Sequence, residues 1–256
     1  MNHHFTVKKG QLTFDAEGSE YRGSYFSRTP HVPSPSSGVT IGRGYDLSQR
    51  APESVVSDLA RCGIATSTAE KLARGCGARG GDAQKAVKKL RLSGIEITPE
   101  QQKKLFEVTY DALEKDVKRI CSKSDVVKTY GKTDWANLSP AVAEVLVDLR
   151  YRGDYTPATR KKIQKLVAQN DLKAFHHCLN DEAFWCRLGV PSDRFRRRAQ
   201  HLEQAMRAFS QSNPVSKPPT SRLKTFGLKI REIRLFLNNL QKKNDSFKKI
   251  YRKYCS

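Results

Sequence analysis

From about residue 50 onward, apolar positions recur every three to four residues, the spacing that lines one face of a helix. Helices are expected at Pro52 to Arg61, Asp82 to Leu92, Thr156 to Ala168, Asp171 to Leu179 and Ser192 to Ser210. Two helix starts carry stronger marks. Thr98-Pro99-Glu100-Gln101 sets an N-cap threonine, a proline at the first helical position and a glutamine that closes a capping box, opening a long helix to about Ser122. Ser139-Pro140-Ala141 starts another in the same way. Val142, Val145, Leu146, Leu149 and Tyr151 place apolar groups around most of that second helix, so it is expected to be central and buried, ending at Gly153. Before residue 50 the pattern changes. Gly18 to Leu47 is rich in Gly, Ser, Pro, Tyr and Thr, and Gly38-Val39-Thr40-Ile41-Gly42 sets β-branched residues between glycines, as a short strand with tight turns requires. A short N-terminal helix, a small β element and a helical remainder make the expected class α+β, mostly α.

Composition narrows the class further. Hydrophobic residues are 38% of the 256, enough for a core, which excludes wholesale disorder. The longest apolar stretches, such as Val145-Leu146-Val147, fall far short of the roughly 18 residues that cross a bilayer. His3, His4, Lys8 and Lys9 interrupt the place where a secretory signal would need an apolar run, so none is visible. Action inside the cell, export by another route and missing upstream sequence all stand open. Six cysteines allow fifteen pairings if all were bridged, and the bridged and reduced states both stand open.

The net charge of +21 is uneven. Residues Pro214 to Ser256 carry twelve Lys and Arg against Glu232 and Asp245, nearly half of the excess in a sixth of the chain. Asn213-Pro214-Val215-Ser216-Lys217-Pro218-Pro219-Thr220-Ser221 reads as a break. The expected organisation is therefore a main domain, 1–213, and a basic appendage, 214–256, with one or two amphipathic helices among its lysines. Packing on the main domain, attachment to an anionic wall or membrane, and docking to a partner are its three readings.

Ala16-Glu17-Gly18, followed by Ser37-Gly38-Val39-Thr40-Ile41-Gly42-Arg43-Gly44-Tyr45-Asp46-Leu47, resembles the pesticin-like branch of the phage-type lysozyme superfamily. Ser37 to Leu47 matches that branch's signature at every position. Leu138-Ser139 to Gly153, ending Val147-Asp148-Leu149-Arg150-Tyr151-Arg152-Gly153, is similar to the family's central helix, and Arg194-Phe195-Arg196-Arg197-Arg198-Ala199 to its basic C-terminal helix. The resemblance spans about residues 10 to 210 and leaves out the appendage. It implies a lysozyme-like fold and cleavage of the β-1,4 bond between N-acetylmuramic acid and N-acetylglucosamine of bacterial peptidoglycan, an antibacterial activity. Such hydrolysis uses one carboxylic acid to protonate the leaving oxygen and commonly a second carboxylate to activate water or stabilise the developing cation.

Within the motif, Glu17 is the expected acid, with Asp46 and Thr40 on the water or the cation. Outside it, Glu17 would read as a solvated or capping glutamate, Asp46 as a turn cap and Thr40 as an ordinary strand threonine. Glu20 is a rival acid that lacks the following glycine. Tyr45 reads equally as a sugar-stacking platform or a packed aromatic. Arg152 stands where relatives commonly carry glutamine, making it a cationic substrate contact, and Arg43 where they often carry an apolar residue. The Pro-rich stretch Arg28 to Pro35 is expected to reshape the rim of the cleft.

The reaction needs no cofactor. His176-His177-Cys178 and Cys186 match no standard zinc spacing, so no metal is expected. The expected partner of a monomeric chain is the cell wall rather than a specific nucleic acid, since no zinc finger, helix-turn-helix spacing or aromatic RNA-binding motif is present. The competing reading is a non-catalytic basic module that binds peptidoglycan or nucleic acid. Retention or inversion at the sugar depends on carboxylate separation, which sequence spacing leaves open.

Overall fold

Residues 6–23 and 26–212 are described by the computed structural model. The chain divides into a unit Met1–Phe209 and a unit Ser210–Ser256, and the expected appendage at 214–256 lies outside the described residues. In the first unit a short helix, α1 (Gln11–Ala16), precedes a two-stranded antiparallel sheet, β1 (Thr40–Ile41) and β2 (Tyr45–Asp46), with Thr40 opposite Asp46. Then come α2 (Pro52–Arg61), α3 (Thr66–Ala73), α4 (Gly80–Lys89) and a 3-10 turn at Leu92–Gly94. The rest is helical: α5 (Pro99–Cys121), α6 (Ser124–Tyr130), α7 (Pro140–Arg152), α8 (Pro157–Ala168), α9 (Leu172–Leu179), α10 (Glu182–Arg187) and α11 (Ser192–Ser212). The class is α+β, mostly α. None of the described helices is long and apolar enough to cross a membrane.

Local chemistry explains most of these boundaries. The capping box at α5 is present, Thr98 accepting from the Gln101 N–H while the Gln101 side chain accepts from Thr98 N. The expected equivalent at α7 is not: Ser139 makes no side-chain cap, and its N–H donates instead to Asn170 Oδ1 at 2.9 Å. Proline at the first position still sets the backbone there, and Gly153 ends the helix in the left-handed region at φ 92°. Helices α3 (Thr66–Ala73) and α6 (Ser124–Tyr130) lie outside the expected set.

Three apolar clusters hold the unit. One lies beneath the hairpin and α2–α4, with Ile41, Tyr45, Leu47, Leu59 and Leu72 at its centre. Another surrounds α7 and includes Val145, Leu146, Ile163, Phe175 and Trp185. Val7, Phe14, Phe106, Tyr110 and Val147 form the third. The 23-residue α5 supplies Leu105 to the first, Val117 and Ile120 to the second, and Phe106 and Tyr110 to the third.

The turn of the hairpin rests against α7 at Gly44. Its φ is +86°, and a Cβ there would lie 2.7 Å from Tyr151 Cε1. The tyrosine cannot swing away, because its ring stacks on Phe106 at 5.7 Å and its hydroxyl donates to Arg43 O at 2.5 Å. Gly44→Ala is therefore expected to cost about 1–3 kcal/mol from left-handed strain and overpacking together. Urea denaturation measures it, and an unchanged midpoint would show that the turn relaxes freely.

Candidate active site

Helix α1 ends at Glu17, its C-cap residue (φ −102°, ψ 20°). A helix C-terminus presents unpaired carbonyls and partial negative charge, a poor place for a carboxylate unless a cation is near. Arg194, near the start of α11, provides one. Its Nη1 donates to Ala16 O at 3.1 Å and its Nη2 to Glu17 Oε1 at 2.5 Å. The guanidinium is itself held by Asp148 of α7, through Nε to Oδ2 at 3.2 Å and Nη2 to Oδ1 at 2.7 Å. One helical turn along, Arg198 Nε donates to the same Oδ2 of Asp148 at 2.6 Å, and its Nη2 to Asp154 Oδ2 at 2.8 Å. Asp154 in turn pairs with Arg152 at 2.5 Å.

The result is a file of alternating charges, Glu17, Arg194, Asp148, Arg198, Asp154 and Arg152. Asp148 and Arg198 at its centre are fully buried, whereas the Glu17 side chain is 21% exposed. Charges taken so far out of water survive only when paired, and each of these meets an opposite charge, although Arg198 Nη1 finds no hydrogen-bond partner among the described residues. Burial, the largest influence, raises the proton affinity of Glu17. Arg194 opposes it by charge and hydrogen bond, Asp148 adds to it, and the net result lies above the ordinary glutamate value. Arg194 remains a firm cation: burial works against its charge, but Asp148 and Glu17 outweigh that.

The hairpin brings Thr40 and Asp46 together across its strands. Both converge on Gly38, with Asp46 Oδ2 accepting from Gly38 N at 3.1 Å and Thr40 Oγ1 donating to Gly38 O at 3.2 Å. Asp46 Oδ1 also accepts from Ser48 N at 2.6 Å. Each carboxylate oxygen retains an accepting lone pair beyond these bonds. Glu17 and Asp46 do not touch. Tyr151 connects their surroundings: it lies within the field of Glu17 and donates to the hairpin at Arg43 O. Burial first, then the charge of Glu17, hold its phenol well above the ordinary value, so it remains a donor.

Two expected contacts are placed elsewhere. Tyr45 is no stacking platform: it is 1% exposed, its hydroxyl donates to Asp58 at 2.8 Å, and the Arg50 guanidinium covers its ring at 3.9 Å. Arg152 is not a free cation for substrate, since Asp154 holds Nη1 and Gly189 O accepts from Nη2 at 3.1 Å. The rival acid Glu20 is 29% exposed and faces two cations and an amide, accepting from Arg28 at 3.1 Å, Arg43 at 3.1 Å and Gln102 at 2.6 Å.

Arg43, expected only as a departure at a variable position, ties the hairpin to α1. Its guanidinium lies 4.0 Å from the Phe14 ring centroid and donates to Phe14 O. The Pro-rich stretch runs along the outer edge of β1, where His31 and Thr40 exchange backbone hydrogen bonds of 2.9 and 2.8 Å. An open groove of about 500 Å³ lies against it, lined by His31, Val32, Gln84, Val87 and Lys88. Among the described residues no cluster of His, Cys, Asp and Glu is suited to a metal ion, and the five described cysteines are free.

A family model described as "Domain of unknown function (DUF8812)" matches residues 10–199. No curated protein matches the chain. The matched span begins at Gly10, the N-cap residue of α1, and ends one residue after Arg198, so it contains the whole file of charges and the hairpin.

Proposed function

The chain belongs to the DUF8812 family, and from its site we propose a peptidoglycan hydrolase, a muramidase of lysozyme-like fold that cleaves between N-acetylmuramic acid and N-acetylglucosamine. The observation that carries this reading is Glu17. It is a partly exposed carboxyl at the junction of α1 and the hairpin segment, held in one orientation by Arg194 and buried enough to favour its protonated form. A general acid for glycoside cleavage requires that combination. Glu17 donates its proton to the leaving sugar oxygen. Asp46, fixed by two backbone N–H groups, accepts from the attacking water or faces the cation that develops at the sugar, and Thr40 offers its hydroxyl lone pairs to the same water.

The positive charge of the chain supports the same substrate, because cell walls are anionic and long-range attraction concentrates a +21 protein on them. The test is incubation of the full chain with purified sacculi, following turbidity and new reducing ends. Clearing with muramic acid at the new reducing ends is the expected result. Salt-sensitive binding to sacculi without release of sugar ends would overturn the enzyme reading in favour of a basic wall-binding module.

A further inference from the structure

Arg194 faces two carboxylates at once, and the geometry of that sharing is unequal. Asp148 takes two bonds from it, through Nε and Nη2, along one edge of the guanidinium. Glu17 takes one, from the same Nη2. Asp148 cannot turn away, since it is fully buried and Arg198 also bonds its Oδ2 at 2.6 Å. We propose that Asp148 is a positioning residue for Glu17: it fixes the Arg194 guanidinium and absorbs most of its charge, so that Glu17 is oriented by a cation without being locked as a carboxylate. This rests on Glu17 being the acid of the proposed hydrolase.

The logic is competition. An unshared arginine beside a carboxylate stabilises its charged form strongly, which would leave a general acid deprotonated at working pH. Asp148 offsets that pull in two ways, by bonding the arginine and by adding its own negative charge. The charged and titratable groups that face Glu17 are Arg194 and Arg198 from α11, and Asp148 and Tyr151 from α7. Tyr151 stays neutral, so the balance is set by the two arginines and Asp148. Asp154 extends the arrangement outward. It competes for Arg198, and without its charge Arg198 turns wholly to Asp148 and loosens the hold on Arg194.

The experiment is titration of the Glu17 carboxyl carbon by NMR in the full chain, its resonance assigned by its loss in Glu17→Gln. In Asp148→Asn the midpoint is expected to fall by about one pH unit, the scale of one neighbouring charge. Asp154→Asn is expected to shift it in the same direction by less. A midpoint that stays at the wild-type value while thermal stability drops would make Asp148 merely structural and overturn the proposal. If Asp148→Asn does not fold, Asp154→Asn decides by the same criterion. The alkaline limb of kcat/KM on sacculi is expected to move with the NMR midpoint. Absence of hydrolysis by the wild type would sink the muramidase reading alone, because the titration needs no turnover.

Discussion

Glu17→Gln is expected to release reducing ends from sacculi about 10²- to 10⁴-fold more slowly than the wild type, the contribution of a positioned general acid. The substitution is nearly isosteric, and the amide oxygen still accepts from Arg194. It is also expected to fold without loss of stability at neutral pH, and the sign follows from linkage. The folded-state proton affinity of Glu17 is raised, so the native state binds more protons than the unfolded one between the ordinary glutamate value and the raised one. Stability from this group therefore falls as pH rises through that window, and above it the carboxylate is a net liability that glutamine removes. Hydrolysis at the wild-type rate by a well-folded Glu17→Gln protein would take the acid role away from this residue. A fall in rate with undiminished sacculus binding would assign it.

Arg198→Ala is expected to cost about 3–5 kcal/mol, the scale for breaking a buried ion pair by removing one partner. Arg198 is fully buried and serves two carboxylates, so its loss opens a void and leaves Asp148 to Arg194 and Asp154 to Arg152 alone. For a unit of this size that is a fall in Tm on the order of 10 °C. Calorimetry measures it, and a shift below about 2 °C would mean that Asp148 and Asp154 find other partners or water without cost. Arg196→Ala, on the same helix but paired only at the surface with Glu182 at 3.4 Å, is the natural control, at under about 1 kcal/mol.

What the sequence discloses about this site is uneven, for physical reasons. The hairpin is legible because glycines and β-branched residues at fixed offsets leave few backbone solutions, and α5 because Thr98, Pro99 and Gln101 each have one job at a helix start. The burial of α7 is legible from its apolar circumference, yet that same pattern hides Asp148. A lone aspartate between Val147 and Leu149 looks like a polar interruption until its two arginines are placed, 46 and 50 residues away. The clue was present: an aspartate in a helix apolar all round has to be paired, and arginines at 194 and 198 share a helix face. Tyr45 and Arg152 fail differently. Each had a local identity consistent with sugar contact, but their fate depends on Asp58, Arg50 and Asp154, partners that no pattern in the motif specifies.

The long helix α5 has a consequence for how the unit opens. Because Leu105, Phe106, Tyr110, Val117 and Ile120 are buried in three different clusters, no cluster can lose its packing without exposing a face of the same helix. Local excursions that would separate the hairpin from the helices around α7 must break α5 or strip one end of it. The subglobal openings available to the unit are thereby confined to its periphery, such as the turns around α6 and α10, while the amides of mid-α5 exchange only when the whole unit unfolds.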